Sequence, residues 1–289
     1  MTKVGAIAAI IPFFTISHGI LFGKYNFRIR KERIKSPKIS ADFDGFRIVQ
    51  ISDIHIGSFY NSSKEVQEGV DLINSLNPDL VVFTGDLVNN YGREIEGYEE
   101  VLGSIKSVYG KYAILGNHDY GDYIKWESAK HKAENFNQIV NAFDAIGFTL
   151  LRNEHLKIKK GASIFNLLGV ENWGKPPFPQ YGDLNKAMEG VSSSTFNILL
   201  SHDPSHWDAE VLGKTPIDLT LSGHTHGMQF GVEIGNYQWS PVKLRYPRWG
   251  GKYVEQNQML YVNRGFGFIG FPGRIGMPPE ITLFELKTI

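Results

Sequence analysis

The stretch that decides the fold is FRIVQISDIH, residues 46–55. Its first six residues, 46–51, form the kind of short apolar run that is typical of a buried β-strand. Polar residues follow, and Asp53 and His55 stand two positions apart, so in a continuing strand their side chains point to the same side. In open α/β sheets, ligands bind beyond the carboxyl ends of the strands. The stretch therefore predicts a strand that leads into a ligand site.

Four further polar clusters in the sequence each follow an apolar run. They are Gly85-Asp86, Gly116-Asn117-His118-Asp119, Ser201-His202-Asp203 and Gly223-His224-Thr225-His226. Five clusters at five strand ends can converge on one site. Carboxylates, imidazoles and one amide oxygen suit a pair of divalent ions, and water activated by such a pair hydrolyses phosphate esters. The predicted metal ligands are Asp53, His55, Asp86, Asn117, His202, His224 and His226.

The order of apolar runs and helical patterns predicts an α/β fold. Strands are expected at 46–51, 80–84 and 111–115, with helices at 64–76 and 94–108 between them. Such units imply a parallel sheet with right-handed crossovers. After a helix at 134–146, the pattern changes to short strands at 149–151, 155–158, 164–170, 197–200, 219–221, 258–263 and 281–286. One catalytic domain of two packed sheets flanked by helices is the simplest account.

Composition limits the classes of function. The chain has 289 residues, 42% of them hydrophobic, which suffices for one large domain or two small ones. Thirty basic and thirty acidic residues balance, so no overall field attracts nucleic acid, and no nucleic-acid partner is expected. The lack of cysteine excludes disulfides and thiolate metal ligands.

The first forty residues differ from the rest. Residues 4–23 contain no Asp, Glu, Lys or Arg, which matches the roughly 20 residues of a membrane-spanning helix, and seven basic residues follow between 24 and 38. By the positive-inside rule, we expect the following domain on the cytoplasmic side of a bacterial inner membrane. A signal peptide and a soluble amphipathic helix are the alternatives. The predicted division is an anchor helix and basic linker at 1–40 and one domain at 41–289, with an extended linker or edge strand at 34–44.

The order D-x-H, G-D, G-N-H-D, a lone H and G-H-x-H resembles the calcineurin-like metallophosphoesterases, and the resemblance covers residues 46–286. Residues 201–204, 223–227, 261–265 and 278–280 are more closely similar to the bacterial membrane-associated branch of YkuE-like phosphoesterases and UDP-diacylglucosamine pyrophosphatases. The resemblance implies a four-layer α-β-β-α sandwich of two mixed sheets. It also implies hydrolysis in one displacement by a hydroxide held between two metal ions.

The resemblance assigns roles to individual residues. One metal would be held by Asp53, His55, Asp86 and His226, and the other by Asp86, Asn117, His202 and His224. His118 would protonate the leaving oxygen, and Asp119 would orient His118. Mn²⁺ is the first choice of metal, with Fe and Zn²⁺ left open, because imidazole and carboxylate ligands discriminate poorly among them.

Two arginines near the C-terminus are candidates for substrate binding. Arg264 and Arg274 lie in glycine-rich loops, where a guanidinium can grip a phosphate, and a surface ion pair is the alternative. The apolar residues around them, Phe266, Phe268, Ile269 and Phe271, are expected in the core or on an apolar rim.

The predicted function is a phosphodiesterase or pyrophosphatase. An apolar rim around the two arginines would fit a membrane-anchored enzyme that acts on a lipid-linked or nucleotide-lipid diphosphate. The alternatives are a phosphomonoesterase, including a protein phosphatase, and a scaffold of this fold without chemistry.

Overall fold

Two six-stranded β-sheets form the centre of the protein, in a computed structural model that describes residues 3–60, 62–176, 178–235 and 237–289, with side chains from residue 10 onward. The strands among the described residues are β1 (Arg28–Lys35), β2 (Arg47–Ile51), β3 (Leu80–Phe83), β4 (Lys111–Ala113), β5 (Thr149–Leu150), β6 (Glu154–Lys160), β7 (Ser163–Gly169), β8 (Asn197–Leu200), β9 (Leu219–Ser222), β10 (Val232–Ile234), β11 (Tyr237–Trp239), β12 (Gly251–Glu255), β13 (Gln258–Val262) and β14 (Glu280–Lys287). The α-helices are α1 (Lys3–Leu21), α2 (Ser63–Ser75), α3 (Glu99–Gly103), α4 (Ala129–Ala145) and α5 (Leu184–Ala187).

Both sheets are mixed, with parallel strands at their centres. The first sheet has the order β1-β14-β2-β3-β4-β5, in which β2 to β5 run parallel and β14 runs antiparallel to β2. The second has the order β12-β13-β9-β8-β7-β6, in which β13, β9, β8 and β7 run parallel and both edge strands run antiparallel to them. Strands β10 and β11 form a separate hairpin.

The two sheets pack face to face and carry helices on their outer faces. Ile48 and Val82 of the first sheet meet Ile198 and Leu221 of the second in one buried cluster. Helices α2 and α4 cover the outer face of the first sheet. Helix α5 and the π-helical turn Trp207–Val211 cover the second. The predicted α/β fold of two mixed sheets flanked by helices is confirmed.

The helix predicted at 94–108 is wrong in extent. The structure has a short 3₁₀ turn at Gly92–Ile95 and then only the five residues of α3. Gly97 adopts a left-handed backbone with φ 85°, which ends the turn. The Glu94 carboxylate accepts hydrogen bonds from the backbone N–H groups of residues 89–91, so it caps the preceding loop instead of lying on a helix surface.

The segment at 28–35, which the sequence placed in a basic linker, forms strand β1. It pairs in parallel with β14, from Arg28 opposite Glu280 to Lys35 opposite Lys287. The predicted division at residue 40 is therefore too late, because the first sheet already includes residues 28–35. Charged side chains along an outer strand are typical of a protected sheet edge.

Helix α1 covers most of the predicted membrane-spanning stretch at 4–23, and residues 1 and 2 lie outside the described part of the chain. The Gly19 carbonyl accepts a hydrogen bond from the Arg274 backbone N–H, at 3.1 Å. Phe13 and Phe14 are 66% and 64% exposed. None of the helices in the described ranges is long and apolar enough to cross a membrane.

Candidate metal centre

The predicted ligands converge at the carboxyl ends of five parallel strands, as the sequence indicated. Loops after β2, β3 and β4 bring Asp53, Asp86 and Asn117 from the first sheet. Loops after β8 and β9 bring His202 and His224 from the second. The centre therefore lies where the carboxyl ends of the two sheets meet, and both sheets must form before it is complete.

Many of these residues have an unusual backbone conformation. Left-handed φ angles occur at Asp53 (51°), His55 (48°), Asp86 (62°), His224 (73°) and His226 (51°). A non-glycine residue in this region costs about 1–3 kcal/mol and persists only where its surroundings enforce it. Such strain is concentrated at functional sites, and here it accompanies the sharp turns that bring successive polar side chains inward.

Glycines allow the loops to approach one another closely. A Cβ atom on Gly223 would lie 1.9 Å from the Ser52 hydroxyl oxygen and 2.3 Å from the Asp53 carboxylate. A Cβ atom on Gly85 would lie 2.5 Å from the Gly116 backbone nitrogen. The predicted reason for Gly223, a close approach of the backbone, is thus visible in the structure.

The first group of ligand atoms comes from Asp53, His55 and His226. Nε2 of His226 lies 3.3 Å from Asp53 Oδ1 and 3.1 Å from Nε2 of His55. Nδ1 of His55 lies 3.1 Å from the Val88 carbonyl oxygen, so the proton belongs on Nδ1 and the Nε2 lone pair faces the group. This is how a histidine is oriented to bind a cation.

The second group comes from Asp86, Asn117, His202 and His224. The Asn117 Oδ1 atom lies 3.0 Å from His202 Nε2 and 2.9 Å from His224 Nδ1. Nδ1 of His202 lies 2.7 Å from the Thr84 carbonyl oxygen, so Nδ1 carries a proton and Nε2 points into the site. Oδ2 of Asp86 lies 3.2 Å from His202 Nε2 and 3.5 Å from His55 Nε2. One carboxylate oxygen is therefore shared between the two groups.

Charge in the centre favours a cation. Burial lowers the pKa of His55 to about 3, so this ring is neutral. Burial opposes the charged form of His202, but the Asp86 and Asp53 carboxylates raise its pKa to about 10. Burial also opposes ionisation of Asp53 and Asp86, yet neighbouring histidines lower the pKa of both carboxyls. Two buried carboxylates with converging nitrogen atoms fit divalent ions, because buried anions require a positive partner.

His118 lies at the opening of the centre and is partly exposed. Its backbone N–H donates to Asp86 Oδ1 at 2.9 Å, and its ring packs edge-on against His55. Its Nδ1 lies 2.7 Å from the Asn89 carbonyl oxygen. That carbonyl, not Asp119, orients the ring, so the predicted role of Asp119 is wrong.

Asp119 instead ties two loops together. Its carboxylate accepts hydrogen bonds from the backbone N–H groups of Asp86, Leu87 and Gly116 at 2.9 Å and of Val88 at 3.3 Å. The side chain is fully buried, and both of its carboxylate oxygens are bound to these backbone groups. Burial and the nearby Asp86 carboxylate raise the pKa of Asp119 to about 7.

We expect Asp119→Asn to lower the free energy of unfolding of the metal-free protein by about 1–3 kcal/mol, because an amide NH₂ replaces one acceptor and leaves buried N–H groups unpaired. Urea unfolding in the presence of a chelator measures the change. The control is Asp144→Asn, since Asp144 is exposed on α4. Equal urea midpoints of unfolding for Asp119→Asn and the parent would contradict the proposal that the Asp119 carboxylate joins the two loops.

Arg264 and Arg274 are buried and bound to groups of the protein itself, which argues against their predicted role in substrate binding. Both are 2% exposed. Arg264 Nη1 donates to Glu280 Oε2 at 3.0 Å. Arg274 Nη2 donates to the carbonyl oxygens of Arg264 and Gly267, and it also lies 3.2 Å from His226 Nδ1. These arginines hold the glycine-rich loop 264–267 in place behind the metal centre.

The neighbouring apolar residues divide between the two predicted locations. Phe266 and Phe268 are each 1% exposed and belong to the core beneath the first sheet's helices. Ile269 and Phe271 are half-buried. The predicted location in the core therefore holds for Phe266 and Phe268.

Two tyrosines beside the ligands were not predicted from the sequence. The Tyr246 hydroxyl lies 2.7 Å from His224 Nε2, so Nε2–H can donate to it while Nδ1 faces Asn117. The Tyr123 hydroxyl accepts a hydrogen bond from Asn117 Nδ2 at 2.8 Å, which turns Oδ1 of that amide toward the histidines. Tyr123 follows the G-N-H-D cluster closely, whereas no motif marks Tyr246.

The comparisons with known proteins agree with this geometry. The family model described as calcineurin-like phosphoesterase matches residues 46–228. The chain is 34% identical over 265 residues to the metallophosphoesterase YkuE of Bacillus subtilis (strain 168), covering 88% of this chain and 84% of that protein. It is 32% identical over 291 residues to a transmembrane protein with metallophosphoesterase domain of Danio rerio, covering 97% of this chain and 62% of that protein.

Among solved structures, the NAD nucleotidase NadN of Haemophilus influenzae matches with a TM-score of 0.47 and 13% identity, covering 77% of this chain and 45% of that chain. The family model spans more than half of the chain, and the similarity to YkuE extends over most of both proteins. The chain therefore belongs to the calcineurin-like phosphoesterase family and is a phosphoester hydrolase.

Proposed function

We propose that this chain hydrolyses a phosphodiester or diphosphate bond with two divalent ions held by Asp53, His55, Asp86, Asn117, His202, His224 and His226. The observation that carries the proposal is the shared Asp86 oxygen, which lies within 3.5 Å of a histidine nitrogen from each ligand group. A carboxylate between two sets of donors is what a two-ion centre requires. When bound, the ions supply Lewis-acid activation of water and neutralise charge on the phosphoryl group.

The chain's own residues provide the proton for the leaving group. Nδ1–H of His118 donates to the Asn89 carbonyl, which orients the ring. A protonated ring then has Nε2–H to donate to the leaving oxygen. Since His118 is partly exposed at the opening of the centre, a substrate can reach it.

For the resident metal we propose Mn²⁺, with Fe and Zn²⁺ as the alternatives, because imidazole and carboxylate donors suit all three. A scaffold without chemistry is disfavoured, since all seven donors and His118 are present and the donors converge.

We also propose attachment to the cytoplasmic face of a bacterial inner membrane, with lipid-linked or nucleotide-lipid diphosphates among the substrates. Exposed apolar side chains on α1, such as Phe13 and Phe14, and the basic residues after it support this proposal. The name of the Danio rerio relative also refers to a membrane. Co-sedimentation of the full chain with anionic vesicles tests the attachment, and recovery in the supernatant at low salt would contradict it.

The reaction is tested by assaying the Mn²⁺-loaded full chain on bis(4-nitrophenyl) phosphate, 4-nitrophenyl phosphate and UDP-diacylglucosamine. We expect the diester or the diphosphate to have a higher kcat/KM than the monoester, and a chelator to abolish each activity. A preference for the monoester would replace the proposal with a phosphomonoesterase, including a protein phosphatase. No turnover of any substrate with any of the three metals would refute it.

A further inference from the structure

A cavity of about 430 Å³ lies beside the metal centre and has no role in the chemistry described above. Its lining includes Trp173, Pro204, Ala209, Tyr246 and Pro247. Tyr246 belongs to the cavity and also contacts His224 Nε2 at 2.7 Å, while Pro204 follows the His202-Asp203 cluster. The cavity is therefore next to the second group of ligand atoms.

The aromatic wall of the cavity is rigidly held. Trp173 donates from its indole N–H to Glu210 Oε1 at 3.0 Å, and its ring stacks on the buried His206 at 4.9 Å between ring centres. His206 is itself fixed, because its Nδ1 lies 2.8 Å from the Ser201 hydroxyl and its Nε2 lies 3.1 Å from Glu210 Oε2. Because these contacts already hold the Trp173 ring in place, binding a ligand costs little side-chain entropy at this wall. A flat wall of this kind suits a flat ligand.

Charge at the cavity favours an anionic phosphoester. Arg248 is paired with Asp208 and Glu255, so it adds little free charge. In contrast, Lys175 and Arg245 are exposed and form no ion pair with any described acidic side chain. Two unpaired cations next to apolar and aromatic walls attract a negatively charged group that carries a ring.

The position of His118 indicates which part of the substrate enters the cavity. The leaving oxygen must lie within hydrogen-bonding distance of His118, whose ring packs against His55 in the first ligand group. The cavity begins at Tyr246, which contacts His224 in the second group. The His118 ring also packs on Tyr123, which binds Asn117, so we expect the leaving oxygen over the opening between the two groups, whereas the cavity begins beside the second group alone.

We propose that this cavity binds the retained substituent of a phosphodiester, and that this substituent is a flat ring. The inference rests on the proposed function, and it deepens that function, because a monoester has no retained organic substituent to fill the cavity. If the cavity binds this ring, then Trp173, Tyr246 and Ala209 determine which substituent the enzyme accepts, whereas the metal ligands carry the chemistry.

The test compares two diesters that share one leaving group, bis(4-nitrophenyl) phosphate and methyl 4-nitrophenyl phosphate. We expect the Mn²⁺-loaded parent to favour the first in kcat/KM by at least about tenfold, which corresponds to about 1.4 kcal/mol. Ala209→Leu, which fills the cavity, should bring the ratio close to one. Ala162→Leu, in the exposed turn between β6 and β7, is the matched control and should keep the parent ratio.

A parent ratio near one would overturn the proposal, and so would an unchanged ratio in Ala209→Leu. If circular dichroism shows that Ala209→Leu does not fold, Pro247→Phe at an exposed position of the lining replaces it, with the same expected result. If neither diester nor UDP-diacylglucosamine is hydrolysed with any of the three metals, the proposed function fails. Whenever the two diesters are not hydrolysed, calorimetry with phenylphosphonate and methylphosphonate tests the cavity proposal separately. Tighter binding of phenylphosphonate that Ala209→Leu removes supports the cavity proposal, and equal binding of the two phosphonates overturns it.

Discussion

Asp86→Ala is expected to lower kcat/KM by at least about 10³-fold, because it removes the carboxylate that both ligand groups share. Its Oδ2 faces His55 and His202, and its Oδ1 accepts the backbone N–H of His118. Charge stabilisation by such ions amounts to several kcal/mol, and about 4 kcal/mol corresponds to about 10³ in rate. Stopped-time assays at saturating Mn²⁺ measure the loss.

Metal analysis of the same variant separates a binding defect from unfolding. We expect Asp86→Ala to retain fewer than the two ions per chain that the parent binds, with a circular dichroism spectrum like that of the parent. Asp71→Ala is the control, since Asp71 is exposed on α2 and distant in sequence from every ligand. Full occupancy by two ions with activity within tenfold of the parent would refute the shared-ligand assignment.

His118→Ala is expected to lower kcat by about 10² or more while the metal content stays unchanged. The reason is that general acids contribute about 10²–10⁴-fold, and His118 is the partly exposed imidazole beside the centre that is not needed as a ligand. The loss should be larger for substrates with poor leaving groups, such as alkyl diesters, than for nitrophenyl esters, because a good leaving group departs without a proton.

The control for this experiment is His131→Ala, which removes an exposed histidine on α4 whose ring faces Glu127. It should behave like the parent. Equal rates for His118→Ala and the parent, on both kinds of leaving group, would exclude the acid role. A loss of metal from His118→Ala would show that the residue acts on the ligands instead.

Much of this architecture was predictable because apolar runs mark buried strands. Residues 46–51 and 197–200 are mostly apolar where the strand is covered on both faces, and strands β2 and β8 form there. The ligand clusters were predictable for the same reason, since each follows such a run. Strand β1 was missed because its alternating charged residues, RIRKERIK, are typical of a solvent-exposed segment unless the partner strand is known.

The contacts that orient side chains were much less predictable. Asp119 stands beside His118 in the chain, but its carboxylate is occupied by backbone N–H groups some 30 residues earlier. A glycine-rich loop is typically exposed, yet the charge of Arg264 in this loop is neutralised by Glu280 at the start of strand β14. Backbone acceptors such as the carbonyls of Thr84 and Val88 have no side-chain identity that a sequence pattern could reveal.

The pairing of β1 with β14 has a consequence for how the protein is made. Residue 28 leaves the ribosome roughly 250 residues before its partner at 280 exists. At about 5–20 residues per second, translation leaves β1 waiting for on the order of ten seconds to a minute. Strand β14 lies between β1 and β2 in the first sheet. Until β14 is synthesised, β1 therefore has no partner strand, and the edge of β2 that pairs with β14 is unpaired.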